Sequence, residues 1–203
     1  MLFLNRICFC FFSFILIACS QEIAEEETLP ATQKAAKIIT AAKSQVGVTT
    51  VYDPAYVSLK YPNGDIPIEK GVCTDVVIRA LRKSIQLDLQ KQVHLDMKSN
   101  FSKYPKIWKL KRPDRNIDHR RVPNLQTFFK RKGWQLPISK KGSDYKPGDL
   151  VTSMFPGNRP HIMIVSNKLD NNGDPLVIHN YGGGTVQNGM LFSYPITGHY
   201  RVK

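Results

Sequence analysis

The 203-residue chain is poor in cysteine and poor in acid. Its four cysteines are Cys8, Cys10, Cys19 and Cys73, and the first three lie in or at the end of one N-terminal apolar run, so no disulfide framework is available. Neither a Cys-x-x-Cys nor a His-Glu-x-x-His spacing occurs, which removes the usual zinc signatures. There is no internal repeat. Gly182-Gly183-Gly184 lacks the strand-to-helix setting of a nucleotide loop and reads as a flexible turn. Long apolar runs are also missing beyond residues 2 to 18, which hold one positive charge, Arg6, ahead of a short hydrophobic stretch. That is the layout of a secretory leader rather than of a spanning helix.

Acid is scarce and badly distributed. The chain holds 29 Lys and Arg against 16 Asp and Glu, a net charge of +13, and Glu22, Glu25, Glu26 and Glu27 cluster just after the apolar run. Residues 28 to 203 therefore hold 28 basic against 12 acidic side chains, a net +16. Such a body is drawn to anionic polymers, with peptidoglycan carboxylates and lipid head groups as the envelope examples. Nucleic acid fits the charge, but an export signal removes it from the expected partners.

The leader ends in Leu16-Ile17-Ala18-Cys19, which resembles the bacterial lipobox. The resemblance implies that Cys19 is lipidated and becomes the new N-terminus, giving a periplasm-facing lipoprotein of the cell envelope. Ser20 stands where an aspartate would mark inner-membrane retention, so the expected destination is the outer membrane. Cleavage near Ala18 as an ordinary secretory signal is the alternative. The expected organisation is a signal over residues 1–19, a polar tether over 20–31, and one domain over 32–203.

Within that domain, alanines, Ile38 and Ile39 alternate with lysines over residues 32 to 46, predicting a helix stopped by Gly47. Residues 48 to 61 read as extended chain and loop. Helices are predicted from Cys73 to Ser84, from Leu87 to Lys98, and from Pro123 to Lys132. Between them, residues 104 to 123 read as an irregular basic loop. The last third switches to short apolar runs, Asp149–Met154, His161–Asn167, Leu176–Asn180 and Tyr200–Val202, separated by turn clusters. Helices first and an antiparallel sheet afterwards make the class α+β.

Cys73 carries the chemical argument. In Gly71-Val72-Cys73-Thr74-Asp75-Val76-Val77 a loop glycine gives way to a helical pattern, which puts a thiol where unpaired N–H groups and the helix dipole favour a thiolate. After loss of the leader it is the one free thiol, in an oxidising compartment that gives such a group no reason to persist unused. His161 and His179 each lie in a strand-like run that can face it.

This order resembles the NlpC and p60 family of papain-fold cysteine peptidases. Lys146-Pro147-Gly148-Asp149-Leu150 is similar to the family's strand entry, His161-Ile162-Met163-Ile164-Val165 to its histidine strand, and Val177-Ile178-His179-Asn180 to the strand of its third residue. The resemblance implies a papain-like fold, with Cys73 as nucleophile, His161 as base and His179 as the group that orients His161. It also implies an oxyanion donor at the helix start and a side-chain donor at Tyr61, with Tyr56 as the substitute. The chain departs from the family's Asp-Cys-Ser-Gly motif in having Val72-Cys73-Thr74-Asp75, so Asp75 has no family role and is placed with the substrate contacts. Three phrases, Gly71 to Leu81, Ile117-Asp118-His119-Arg120-Arg121-Val122 and Gly198-His199-Tyr200-Arg201, resemble domain-of-unknown-function family 1287 from about Thr40 to Val202.

The run Asp118-His119-Arg120-Arg121 is either a solvated charge run or a clamp in which His119, Arg120 and Arg121 grip a substrate carboxylate. A zinc site from Cys73, His161 and His179 is chemically admissible but unsupported by spacing, and no cofactor or metal is expected. His199 and Arg201 are expected to be structural, and His94 to sit on a helix surface. The function expected is an envelope cysteine hydrolase that cuts an amide in peptidoglycan, as a stem-peptide endopeptidase or a muramoyl-alanine amidase. Acyl transfer at the same thiol, or a non-catalytic wall-binding lipoprotein, are the alternatives.

Overall fold

A computed structural model describes residues 28–203. The leader, Cys19 and residues 20 to 27 of the tether lie outside the described residues. The end of the tether is held: Thr28 bridges to Lys168, and the Leu29 amide donates to the Asn167 carbonyl at 2.6 Å.

The first helix, α1, spans Gln33–Lys43 and starts where Thr32 Oγ1 accepts from the Ala35 amide at 3.2 Å. The chain then forms a two-residue strand Val51–Tyr52 (β1), in the stretch read as extended chain and loop, and it lies parallel to Lys70–Gly71 (β2). Helix α2, Cys73–Ile85, follows at once and ends at Gln86 in the left-handed conformation, φ 57°. Helix α3, Leu89–Asn100, starts on Asp88, which accepts from the Lys91 amide at 3.2 Å. The basic stretch after it is not wholly irregular, because Asp118–Arg120 forms a 3-10 turn. Helix α4, Val122–Arg131, has Pro123 in its first turn, where a missing N–H costs nothing.

The remaining chain forms β3 (Gln135–Leu136), β4 (Leu150–Phe155), β5 (Arg159–Leu169), β6 (Pro175–Asn180), β7 (Thr185–Asn188) and β8 (Ile196–Tyr200). These six make one antiparallel sheet in the order β3-β8-β4-β5-β6-β7. The class is α+β, with helices preceding the sheet. Three strands differ from expectation, the first being β3, a two-residue strand against β8 that was not expected. The last one is Ile196–Tyr200 rather than Tyr200–Val202, and β7 shows one apolar residue in four, so it carries no periodic signal.

Alternation along β5 explains why His161-Ile162-Met163-Ile164-Val165 is apolar throughout. Ile162 and Ile164 join Leu150, Ile178 and the buried face of α2 in one core, while Met163 and Val165 join Val151, Val177, Tyr145 and Leu191 in a second core on the other face of the sheet. Helix α2 is buried continuously from Cys73 to Leu81. Burial of each of Val76, Val77 and Leu81 contributes about 1.5–3 kcal/mol, and this fixes α2 against the sheet. His199 and Arg201 lock the β4 entry from the chain's end: His199 Nε2 lies 2.7 Å from Asp149 Oδ2, and Arg201 donates to both Asp149 oxygens at 2.6 and 2.7 Å.

Candidate active site

Cys73 is the first residue of α2, and the turn before it is tight around Gly71. A Cβ there would meet Thr49, Arg79 and Asp75 atoms at 3.1 to 3.3 Å. Asp75 Oδ2 accepts from the Val72 amide at 2.7 Å, which closes the helix start. The Cys73 sulfur is approached by the backbone N–H groups of Thr74, of Cys73 itself and of Ile162, the residue that follows His161 on β5. The thiol is 6% exposed. Burial, reinforced by the Asp75 charge, pushes it up to about 12, against the smaller opposing effect of those N–H groups. This corrects the expectation of a standing thiolate: desolvation outweighs the helix start, and the resting group is a thiol.

His161 and His179 face each other across β5 and β6, on the sheet face that carries Met163, Val165 and Val177. Ile162 and Ile178 are the ones turned toward Cys73, which corrects the expectation that the two histidines face the thiol. His161 Nε2 lies 2.8 Å from His179 Nδ1, and His179 Nε2 lies 3.0 Å from Asn188 Oδ1 on β7. Burial holds both imidazoles below the usual range, His161 at about 3, so both are neutral. The tautomers then follow in order. Asn188 Oδ1 can only accept, so His179 carries its proton on Nε2 and presents a lone pair at Nδ1. His161 must donate from Nε2 to that lone pair, which leaves its own Nδ1 as an acceptor. The rings are fixed from outside by Phe155, stacked on His161 with centroids 4.4 Å apart, and by Tyr181, stacked on His179 at 5.2 Å. Asn188 was not singled out by sequence, because nothing in the local pattern marks β7 as the strand beside His179. Asn180 points the opposite way, as alternation requires, and its Nδ2 donates to the Gly71 carbonyl at 3.1 Å, tying β6 to the turn before Cys73.

Cys73 lies in the wall of a cleft of about 230 Å³ together with Tyr52, Pro54, Trp108, Arg121 and Pro160. The tyrosine at this cleft is Tyr52. Burial and the nearness of Cys73 raise its phenol above the usual range. Tyr61 is elsewhere: its ring packs edge-on against His94 at 5.4 Å and beneath Arg115 at 5.5 Å. Tyr56 is not in the cleft wall either, and its hydroxyl donates to Asp114 Oδ2 at 3.0 Å. Spacing along the chain gave no access to the β1–β2 pairing that carries Tyr52 to the start of α2.

Two residues expected to contact substrate, Asp75 and Arg120, bind each other in the frame around the cleft. Arg120 Nε and Nη2 grip the Asp75 carboxylate at 2.9 Å each, and its remaining donors go to the Ala55 and Asp53 carbonyls at 3.1 Å each. Arg120 also lines the Cys73 cleft, and with four of its five N–H groups given to Asp75 and the two carbonyls it has a single Nη1 N–H left to offer a ligand. His119 is 2% exposed and held at about 3, mainly by burial with Arg120 and Arg82 adding, and it is not in the cleft wall. Arg121 lines the cleft as well, pairs with Asp118 at 3.1 Å, and lies over the Trp108 ring at 4.3 Å. Among the described residues no group of three or more His, Cys, Asp or Glu is placed to hold a metal ion.

Comparison with known proteins adds three findings. Residues 39–202 match the family model described as domain of unknown function DUF1287. The chain is 56% identical over 160 residues, 79% of its own length and 78% of the relative's, to the uncharacterized protein YijF of Escherichia coli strain K12. Among solved structures it is similar to an N-acetylmuramoyl-L-alanine amidase from Bacteroides uniformis, at 14% identity and a TM-score of 0.48, covering 85% of this chain and 100% of that one. With four fifths of its length matched by the family model and a relative at this identity, the chain belongs to the DUF1287 family.

Proposed function

We propose that this protein is a cysteine hydrolase that cleaves an amide bond of peptidoglycan, with Cys73 as nucleophile, His161 as base and His179 as the positioning residue. The observation that supports the reading is Cys73 at the start of α2 in the wall of an open cleft, its sulfur approached by the Ile162 N–H. The ordered chain Asn188, His179, His161 holds a proton acceptor at His161 Nδ1, on the other face of β5, so the reading requires that ring to reach the thiol when substrate binds. The basic charge of the body supports an acidic polymer as substrate.

In this mechanism the resting pair is neutral. An amide carbonyl settles over Cys73, the thiol passes its proton to His161 Nδ1, and the sulfur attacks the carbonyl carbon. The oxyanion takes hydrogen bonds from backbone N–H at the start of α2 and from the Tyr52 hydroxyl. The imidazolium returns the proton to the leaving nitrogen, the C–N bond breaks and the amine departs. Water then enters, gives a proton to His161 and attacks the thioester; the acid is released and the proton returns to sulfur. The same geometry spends the His179 Nδ1 lone pair on the His161 N–H, which disfavours a zinc ion held by both histidines.

Purified full-length protein is to be incubated with sacculi and the released muropeptides read by mass spectrometry, with Cys73→Ala alongside. Release by wild type and none by the variant is the expected result. Unchanged sacculi, in a reaction where an authentic amidase works in parallel, would end the substrate assignment. Transfer of the acyl group to an added amine in place of water would move the reading to acyl transfer. The envelope placement belongs to the same proposal: Cys19 carries the lipid, and the protein loses metabolic fatty-acid label in a Cys19→Ala variant.

A further inference from the structure

A second, open cavity of about 830 Å³ is lined by chain neighbours of the cleft's residues. Pro54 lines the cleft and Tyr56 the cavity; Ile117 lines the cleft and Asn116 the cavity. Two residues of extended chain reach at most about 7 Å, so one substrate can occupy both spaces.

The cavity's charge is one-sided. Residues 103 to 121 hold eight Lys and Arg against two Asp. Of the eight, Arg120 and Arg121 are spent on Asp75 and Asp118. Lys111, Arg112 and Arg115 line the cavity, are exposed, and have no carboxylate within ion-pair distance among the described residues. Asp114 also faces the cavity, where it accepts from the Tyr56 hydroxyl at 3.0 Å and from the Asn116 amide at 2.9 Å, and its single negative charge against three cations leaves the wall a net +2. His94, half-buried in the same wall, has a buried Nδ1 with no partner, and its basicity is lowered by burial and by the charges of Lys98 and Arg115. Three unpaired cations beside an unpartnered imidazole describe a place for an oxyanion.

We infer that this cavity is the subsite for a carboxylate of the substrate, so that the amide presented to Cys73 belongs to an acidic peptide whose carboxylate lies two or three residues from the scissile bond. The inference rests on the hydrolase reading for the role of Cys73 and not for the anion itself. Lining by chain neighbours, Pro54 with Tyr56 and Ile117 with Asn116, favours an anion on the same molecule as the amide over a flat membrane surface.

The test is calorimetric titration of full-length Cys73→Ala protein with a synthetic acidic tetrapeptide and with the same peptide fully amidated. The acidic peptide is expected to bind about tenfold or more tighter, as charge-assisted contacts supply. Arg112→Glu with Arg115→Glu in that background removes the preference at an unchanged melting temperature. Equal affinity for the two peptides, or a preference untouched by the double variant, overturns the subsite. Retention of inorganic phosphate with no affinity for the acidic peptide overturns the carboxylate assignment. Because binding is read without turnover, it stands if wild type cuts nothing. Equal cleavage of both peptides by wild type would sink the subsite and leave the hydrolase intact.

Discussion

His161 Nε2 stands 2.8 Å from His179 Nδ1, and this single contact decides which nitrogen of His161 is left to take a proton. His179→Ala removes the acceptor that selects the tautomer. Muropeptide release is expected to fall by on the order of 10²-fold or more, with little change in KM, because the loss is in proton transfer and not in binding. Asn188→Ala, one step further out, should cost less, since His179 keeps its ring stacked on Tyr181. Asn188→Asp keeps an acceptor at that position and should retain the activity that Asn188→Ala loses. Steady-state kinetics on the three variants check the order.

The neutral thiol makes a second prediction. Iodoacetamide reacts through the thiolate, and Cys73 is pushed up to about 12, so alkylation at neutral pH should be slower than that of a free cysteine. The rate should still be climbing at a pH where a free thiol has levelled off. Asp75 carries a negative charge beside the sulfur, and Arg120 a positive one held against it. Asp75→Asn removes the first and leaves the second, so both changes lower the thiol's pKa and alkylation should speed up. Mass-spectrometric labelling rates across pH decide this; a neutral-pH rate above that of free cysteine would contradict the neutral resting pair.

How much of this was legible from the chain depends on the distance over which each feature is encoded. That Cys73 starts a helix and that His161 and His179 lie in strands was readable because each stands in its own local pattern. Tyr52 and Asn188 were not, since each reaches the site through a pairing between segments, β1 with β2 and β6 with β7, that leaves no mark on four polar or mixed residues. The Asp118-His119-Arg120-Arg121 run misled for a related reason. A charge run reads as solvated or ligand-binding, yet here a 3-10 turn carries three of its residues inward, where Asp75 and two carbonyls wait for Arg120. The thiol's ionisation was misjudged because the helix start is visible in sequence, whereas the depth at which β5 covers it is not.

Tyr52 and Tyr61 can be set against each other. Tyr52→Phe should lower kcat/KM on the order of 10²-fold if its hydroxyl serves the oxyanion, as loss of one such donor does elsewhere. Tyr61→Phe keeps the ring that meets His94 and Arg115 and should leave kcat/KM near wild type. The reverse pattern would restore Tyr61 and remove Tyr52 from the mechanism.

The Asp75 and Arg120 pair predicts a stability effect separable from chemistry. Their side chains are 4% and 3% exposed, so Arg120→Met leaves a carboxylate buried without its cation and should cost about 3–5 kcal/mol in urea unfolding. Adding Asp75→Asn to that variant removes the stranded charge and should recover part of the loss, the non-additivity expected of groups in direct contact.

His119 supplies the pH dependence of folding. It is held at about 3, below the ordinary imidazole value of 6.5, chiefly by burial. A depressed folded-state pKa means that stability is full above 6.5 and is lost as the pH falls from 6.5 toward 3, because the unfolded chain binds the proton first. Each such histidine contributes at most about 1.4 kcal/mol per pH unit across that window, and His161 and His179 act in the same direction. His119→Gln has no proton to bind there, so its unfolding free energy should fall less steeply than wild type's through the acid range. At neutral pH it should keep muropeptide release, since His119 touches neither the cleft nor the histidine pair. Urea melts at stepped pH, read beside activity, separate this structural role from the substrate contact that the charge run suggested: loss of activity with an unchanged pH slope would return His119 to the site.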